Sequence, residues 1–325
     1  MKPLNGALAA AILTLATPAA ALDCEDGMRA FTHMGGETCI PEQAERIIGL
    51  HDQSVTLTLV ELGAPVVGSH GRMDDNEAQY MRAVDLLFGL DFENSGIDYV
   101  GTWQAMDFET IAALEPDLII GREWEMEDRE RYEAVTPTVF IPNSNDDPLA
   151  FPRGIADAAG LLNVYEQQLA IYEANLERAR FALPQVQGAT YAKIQGWDGI
   201  LNIFAGYGGI TKVLDDLGFV RTEFAQEMAD RGVVWGEEVS AEMLPMAEAD
   251  YIFDTYTIAY GDTFASANDR LNEVFPGWCD QLEACQEGRY IVLPREHVSG
   301  YSFTQLNLIL QLVTTNVANA PAVGG

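Results

Sequence analysis

Four groups of residues in this chain have side chains that could do chemistry. The first is its histidines, His33, His51, His70 and His297. Three imidazoles meeting in one cleft would make a zinc or manganese site, and His51, His70 and His297 are the candidates for that use. No CxxC or HxxxH spacing supports it, and an isolated histidine more often serves structure or hydrogen bonding. The second group is Ser69-His70-Gly71-Arg72, a Gly-flanked loop ending in arginine. A guanidinium presents a fixed fork of donors, which suits an anionic or carbonyl-rich ligand; the plainer reading is a solvated loop. The third is Glu109 and Glu242, each in the first turn of an expected helix, where an acid offsets the helix macrodipole. The fourth is Cys24, Cys39, Cys279 and Cys285. No G-x-S-x-G, P-loop, H-E-x-x-H or strand-borne GxGxxG occurs, so an enzyme is not expected. Gly206-Tyr207-Gly208-Gly209 is the nearest approach to a phosphate cradle.

The whole chain bounds what these groups can meet. Its 325 residues suggest two domains, with full cores rather than disulfide staples. Fifty acids against 18 bases give a net charge of −32, a field that repels nucleic acid and anionic lipid. Strong acidity also keeps a protein soluble. Residues 1–21 read as a secretory signal: Lys2, an apolar core from Ala7 to Leu15, and Ala19-Ala20-Ala21 as the cleavage site. Its removal leaves 17 bases against 50 acids, a charge of −33. No apolar run is long enough to span a bilayer, so the mature chain is expected outside the cytoplasm in soluble form. There the cysteines should be oxidised. Three connectivities are possible, and local pairing, Cys24–Cys39 with Cys279–Cys285, is the simplest. A loop of about 15 residues closed by the first would contribute about 3 kcal/mol in the chain-entropy account.

The elements that must position these residues alternate. Arg29–His33 and Glu37–Pro41 around Met34-Gly35-Gly36 read as a β-hairpin. Arg46–Leu50, Pro65–Ser69, Tyr99–Gly101, Asp117–Gly121 and Thr138–Ile141 read as buried strands. Helices are expected over Ser54–Leu62, Asn76–Phe88, Asp107–Leu114 and Glu127–Ala134. That alternation means a parallel sheet covered on both faces. Pro142–Pro152 is a boundary. A short helix to Gly160 and a long one from Asn163 to Leu183 follow. On the long one Tyr165, Leu169, Tyr172, Leu176, Ala179 and Leu183 make an apolar stripe. Strands then return at Thr190–Gln195, Leu201–Ala205, Tyr251–Asp254 and Tyr290–Leu293, with a last helix over Ser302–Asn316. The fold class is therefore α/β: two α/β lobes with mainly parallel sheets, one long rigid helix joining them and a ligand cleft between. The expected division is a signal (1–21), a hairpin extension (22–44), an N-terminal lobe (45–150), a helical linker (151–184) and a C-terminal lobe (185–325).

Several stretches resemble the substrate-binding proteins of iron–siderophore and vitamin B12 ABC importers. They are Arg46–Leu50, Leu59–Gly68, Val100–Trp103 and Asp107–Gly121, echoed later by Val239–Leu244, Ala249–Phe253 and Glu287–Val292. The resemblance covers about residues 22 to 320, and the ordered set carries it rather than any one piece. It implies limited hinge motion, no catalysis and no cofactor. It also implies capture of an iron chelate in the periplasm, by a monomer, for delivery to a membrane ABC permease and its ATPase.

The resemblance also assigns residues. Arg72 falls on the cleft rim with His70 beside it. Trp103, Trp235 and His297 fall at ligand-facing positions, with Tyr301 behind His297; Tyr256, Tyr207 and Trp197 are further candidates. Aromatic rings bury much area at low entropy cost and stack on apolar chelate arms. Glu109 and Glu242 fall where acids, one per lobe, dock on permease arginines. The ligand implied is a ferric siderophore. By Coulomb sign alone the chain's charge favours a neutral or cationic hydroxamate type, unless Arg72, Arg122 or Arg295 offsets it locally. The same fold admits a haem or corrinoid carrier, with His70, His297 or Tyr301 as axial ligand, or a direct zinc- or manganese-binding protein.

Overall fold

The fold comes from a computed structural model that describes residues 22–74, 76–144, 147–321 and 323. The expected signal segment lies outside the described residues. Met28–His33 pairs antiparallel with Gly36–Pro41, the hairpin that Met34-Gly35-Gly36 predicted. The cysteines take the local pairing: Cys24 bridges Cys39, with 5.7 Å between Cα atoms, and Cys279 bridges Cys285 at 5.3 Å.

Two α/β lobes follow. The first sheet is parallel throughout, in the spatial order Thr138–Ile141, Leu118–Arg122, Ile47–Gly49, Val66–Ser69, Asp98–Tyr99. Its strands are short and apolar because helices cover both faces. The second sheet centres on Thr190–Trp197, which pairs in parallel with Tyr251–Tyr256; Tyr290–Pro294 extends that side, also in parallel. Its other side is antiparallel, Ile200–Phe204 followed by Gly236–Val239. The reversal is made by Asp198-Gly199, with φ of +48° and +72°. An Asp-Gly pair is a preferred two-residue hairpin turn, because positive φ at both positions matches the twist of the flanking strands.

The helix between lobes runs Leu162–Ala182. Tyr165, Tyr172, Leu176 and Ala179 of the expected stripe are buried, and Leu169 packs partly buried against the same cluster. Tyr165 and Tyr172 stack on Phe303, at 5.2 and 6.4 Å between ring centres, so this helix lies against the C-terminal helix Phe303–Asn319. The segment after Met73 departs from expectation, as does the antiparallel side of the second sheet. Asn76–Tyr80 is not the start of a helix. The Asp74 carboxylate accepts the backbone N–H groups of Asn76 and Ala78, both at 2.8 Å, and folds a turn. Arg72–Met73 then pairs with Gln79–Tyr80, and the helix begins only at Arg82. Aspartate competes well for nearby backbone donors, which is why it favours turns over helix interiors.

The lobes are also clasped away from the cleft. Glu61, in the first lobe's helix Leu57–Leu62, accepts the N–H groups of Phe303 at 2.7 Å and Thr304 at 2.5 Å. Together with Ser302, which accepts the Gln305 N–H, it satisfies the first donors of the C-terminal helix. Burial pushes the Glu61 carboxyl up against the pull of those donors. Glu61→Ala should therefore lower stability by about 1–3 kcal/mol, since two partly buried donors lose their acceptor. The urea midpoint should fall while the slope stays constant; an unmoved midpoint would show that water replaces the carboxylate at no cost.

Candidate functional site

Open α/β sheets present ligands with the loops that leave the carboxyl ends of their strands. Here those loops meet. Four strands of the first lobe deliver, in turn, His51, Arg72, Arg122 with Trp124, and Asn143. From the second lobe come Tyr207, Trp235, Arg295 and Tyr301. They enclose a cavity of about 190 Å³. It opens on one side to a space of about 400 Å³ that includes Trp103 and Met106, and on the other to one of about 430 Å³ that includes Trp197, Tyr260 and Glu238. Trp124 lines all three.

Glycines allow two of these placements. Gly101, at φ +110°, lets the chain fold tightly so that Gly101–Thr102 pairs with Ala105–Met106 and Trp103 stands at the tip, 63% exposed. A Cβ at Gly101 would lie 2.4 Å from the Ala105 carbonyl oxygen. At Gly208 a Cβ would lie 1.8 Å from the Ser299 carbonyl oxygen. The Gly206–Gly209 segment is thus glycine-rich because two backbones touch there. That contact brings Tyr207 and Tyr301 to the same cavity, and it accounts for the motif without a phosphate.

The floor is a buried charge cluster. Asp52 is fully buried in the one-turn π-helix Asp52–Thr56 and pairs with Arg82, Oδ1 to Nη2 at 2.6 Å and Oδ2 to Nε at 3.0 Å. Burial would raise the Asp52 carboxyl, but the Arg82 guanidinium holds it well below its ordinary range. Arg82 also donates to His51 Nε2 at 3.0 Å, which leaves Nδ1 to donate to Ser54 Oγ at 2.8 Å. His51 is therefore neutral: burial and the nearby Arg122 keep its pKa well below 6.5. His70 stacks on His51 at 5.4 Å, with its Nδ1 3.5 Å from Asp52. Arg122 pairs with Glu125 at 2.7 Å and lies 4.6 Å over the Trp124 ring. Trp124 in turn sits 6.4 Å from Trp235 across the cleft, and Trp235 meets the edge of Tyr207 at 6.1 Å.

Of the residues expected at a ligand, Arg72, Trp103, Trp197, Trp235, Tyr207 and Tyr301 line this cleft. His70 does not: it is fully buried beneath it. His297, on the short helix Arg295–Val298, and Tyr256, at the end of its strand, line none of the three spaces. Arg82, Trp124 and Tyr260 were not foreseen. Trp124 was findable, because Arg122-Glu123-Trp124 leaves a strand just as the Arg72 loop does. Arg82 was hidden by reading Asn76–Phe88 as one helix.

The three candidate histidines do not converge on one point. His51 already accepts from a guanidinium, His297 lies apart, and among the described residues no group of three His, Cys, Asp or Glu is placed to hold an ion. Of the expected axial ligands Tyr301 alone reaches the cavity, since His70 is buried beneath it and His297 lines none of the three spaces.

Residues 51–296 match the family of periplasmic binding proteins. The chain belongs to that family. Solved structures of similar fold include Staphylococcus aureus SirA complexed with staphyloferrin B, with TM-score 0.74, 20% identity, and 90% of this chain and 99% of that one covered. A FhuD-fold binding protein of a ferrichrome ABC transporter from Bacillus subtilis aligns with TM-score 0.68, 20% identity and coverage of 89% and 100%. FhuD2 from Staphylococcus aureus with bound ferrioxamine B aligns with TM-score 0.64, 18% identity and coverage of 84% and 98%. A comparison with curated protein sequences returned no match. As in any periplasmic binding protein, the interlobe cleft is the place to seek the ligand. Among the described residues no helix is long and apolar enough to cross a membrane.

Proposed function

We propose that this periplasmic binding protein captures a ferric siderophore and delivers it to a membrane ABC permease with its ATPase, working in the periplasm as a monomer. The observation that carries the reading is the cleft itself, a central cavity lined by guanidiniums between aromatic walls contributed by both lobes. A ferric siderophore offers oxygen atoms around the iron and largely apolar arms, and those two surfaces match. The solved structures of the same fold that hold staphyloferrin B and ferrioxamine B support it. Arg72, Trp103, Trp197, Trp235 and Tyr301 are the proposed contacts. Iron arrives with the ligand, as cargo.

Tryptophan fluorescence tests this directly, because Trp103, Trp124, Trp197 and Trp235 all line the cleft. Saturable quenching by a ferric siderophore, and not by its iron-free form, is expected. A response to haem, cobalamin or Zn²⁺ alone would overturn the reading. Trp235→Ala should weaken binding at least about tenfold, as loss of a central aromatic contact usually does. Trp103→Ala, at the exposed tip, should cost only about a few-fold. Unchanged affinity in both variants would take these residues out of the site.

A further inference from the structure

The central cavity is lined by charge of the opposite sign to that of the chain, while the acids Glu125, Glu127, Asp128 and Glu238 line the two flanking spaces. Four guanidiniums line the central cavity, those of Arg72, Arg82, Arg122 and Arg295. Two have carboxylate partners, Asp52 for Arg82 and Glu125 for Arg122. Among the described residues, Arg72 and Arg295 have none, and the Nε of each is buried without a hydrogen-bond acceptor. Glu123 is turned onto the Asn143 amide at 3.1 and 3.2 Å, and Glu127, Asp128 and Glu238 line only the flanking spaces, without an ion pair to Arg72 or Arg295. Two positive charges are thus left over in the central cavity. One comes from each lobe: Arg72 follows Val66–Ser69, and Arg295 follows Tyr290–Pro294.

A buried donor on a charged group is costly to leave unpaired, so an arginine that faces a cavity without an acid needs an acceptor from elsewhere. Surface acids do not supply it. At physiological salt their field is screened within about 8 Å, whereas groups inside a narrow cleft feel one another much more strongly. Local lining therefore outweighs net charge in deciding what enters.

We infer that this cleft selects ferric chelates whose iron-binding head carries net negative charge, and that Arg72 and Arg295 clamp that head from opposite lobes. The inference rests on the siderophore reading and narrows it. The shared chemistry is a cluster of anionic oxygens, which a carboxylate-rich or a catecholate head could supply. Paired N–H groups of a guanidinium fit both, and arginine matches carboxylate oxygens two at a time.

The test is a fluorescence titration of the mature protein with four probes: ferric citrate, a ferric tris-catecholate, a neutral ferric trihydroxamate and a cationic one. One of the two anionic probes should bind at least about tenfold more tightly than either hydroxamate, the size expected for one charge-assisted hydrogen bond. Which of the two binds identifies the head. That affinity should fall as salt rises, a readout that needs no variant. Arg72→Gln and Arg295→Gln should each reduce the preference for the anionic probe about tenfold or more, with thermal melts confirming that both variants are folded. If a hydroxamate binds most tightly and salt has no effect, the charge assignment is wrong and the siderophore reading stands. If no ferric chelate binds, the siderophore reading fails and this inference with it.

Discussion

Asp52→Ala should destabilise the protein by about 3–5 kcal/mol, the usual cost of removing one partner from a buried ion pair. Asp52 is fully buried and the Arg82 side chain is 11% exposed, so the stranded guanidinium has little water to turn to. The backbone N–H of Arg82 also loses its acceptor, since Asp52 Oδ2 takes it at 3.0 Å. Urea unfolding gives the number. The double variant Asp52→Ala with Arg82→Met should be less destabilised than Asp52→Ala alone, because the uncompensated charge goes with its partner. If Asp52→Ala costs under about 1 kcal/mol, solvent reaches Arg82 and the pair is not a buried one.

The same cluster sets a pH dependence. His51 and His70 are held neutral by burial, both below 6.5. In the unfolded chain they protonate near 6.5, so stability is full above that pH and declines as pH falls below it. Asp52 acts lower. Its folded value is depressed below 3.8, so its contribution is intact above 3.8 and is lost as pH falls towards the folded value. Two successive losses on acidification are expected, and His70→Asn should reduce the first.

Much of this arrangement was legible in the sequence because it rests on short-range rules. Apolar runs between helices gave the first sheet. The stripe from Tyr165 to Leu183 gave the long helix. Asp107, expected as a cap, accepts the N–H groups of Glu109 and Thr110. What escaped depends on competition between local options or on partners far away in sequence. Asp74 draws backbone donors into a turn that the apolar period alone does not reveal. Asp198-Gly199 is a hairpin signal inside what reads as α/β alternation, so the antiparallel side of the second sheet was readable and went unread. His70 follows a strand, as Arg72 does, yet one side chain is buried on Asp52 and the other lines the cleft. Which way each points is fixed by Asp52 and Arg82, the latter twelve residues beyond His70. The sequence named Arg72, Arg122 and Arg295 as groups that could offset the chain's charge locally, but not which acids would face them. Composition counts every acid equally, whereas a ligand meets only those that fold to its side.

The acids on the outside carry the other large expected effect. Glu109→Arg combined with Glu242→Arg should lower transport at least about a hundredfold while leaving ligand affinity in solution unchanged. Asp107 takes the first-turn donors of the helix Phe108–Ala113, which leaves Glu109 exposed with a free carboxylate beside the helix macrodipole. Glu242 holds the corresponding place in the 3-10 helix Ala241–Ala247 and is also exposed. One acid stands on each lobe, so a partner that reads both reads the relative position of the lobes. We propose the permease as that partner, with basic groups at matching separation. Charges at the rim of an interface set encounter rate and register, and opposing like charges costs several kcal/mol. Two reversals therefore act on the complex far more than on the fold, where an arginine in a first helical turn costs about 0.3–1 kcal/mol. Uptake of the labelled ferric ligand by cells carrying the double variant measures the first effect, and fluorescence titration of the purified variant measures the second. Normal uptake would remove these acids from docking. Lost uptake with equally weakened ligand binding would place their influence in the cleft instead.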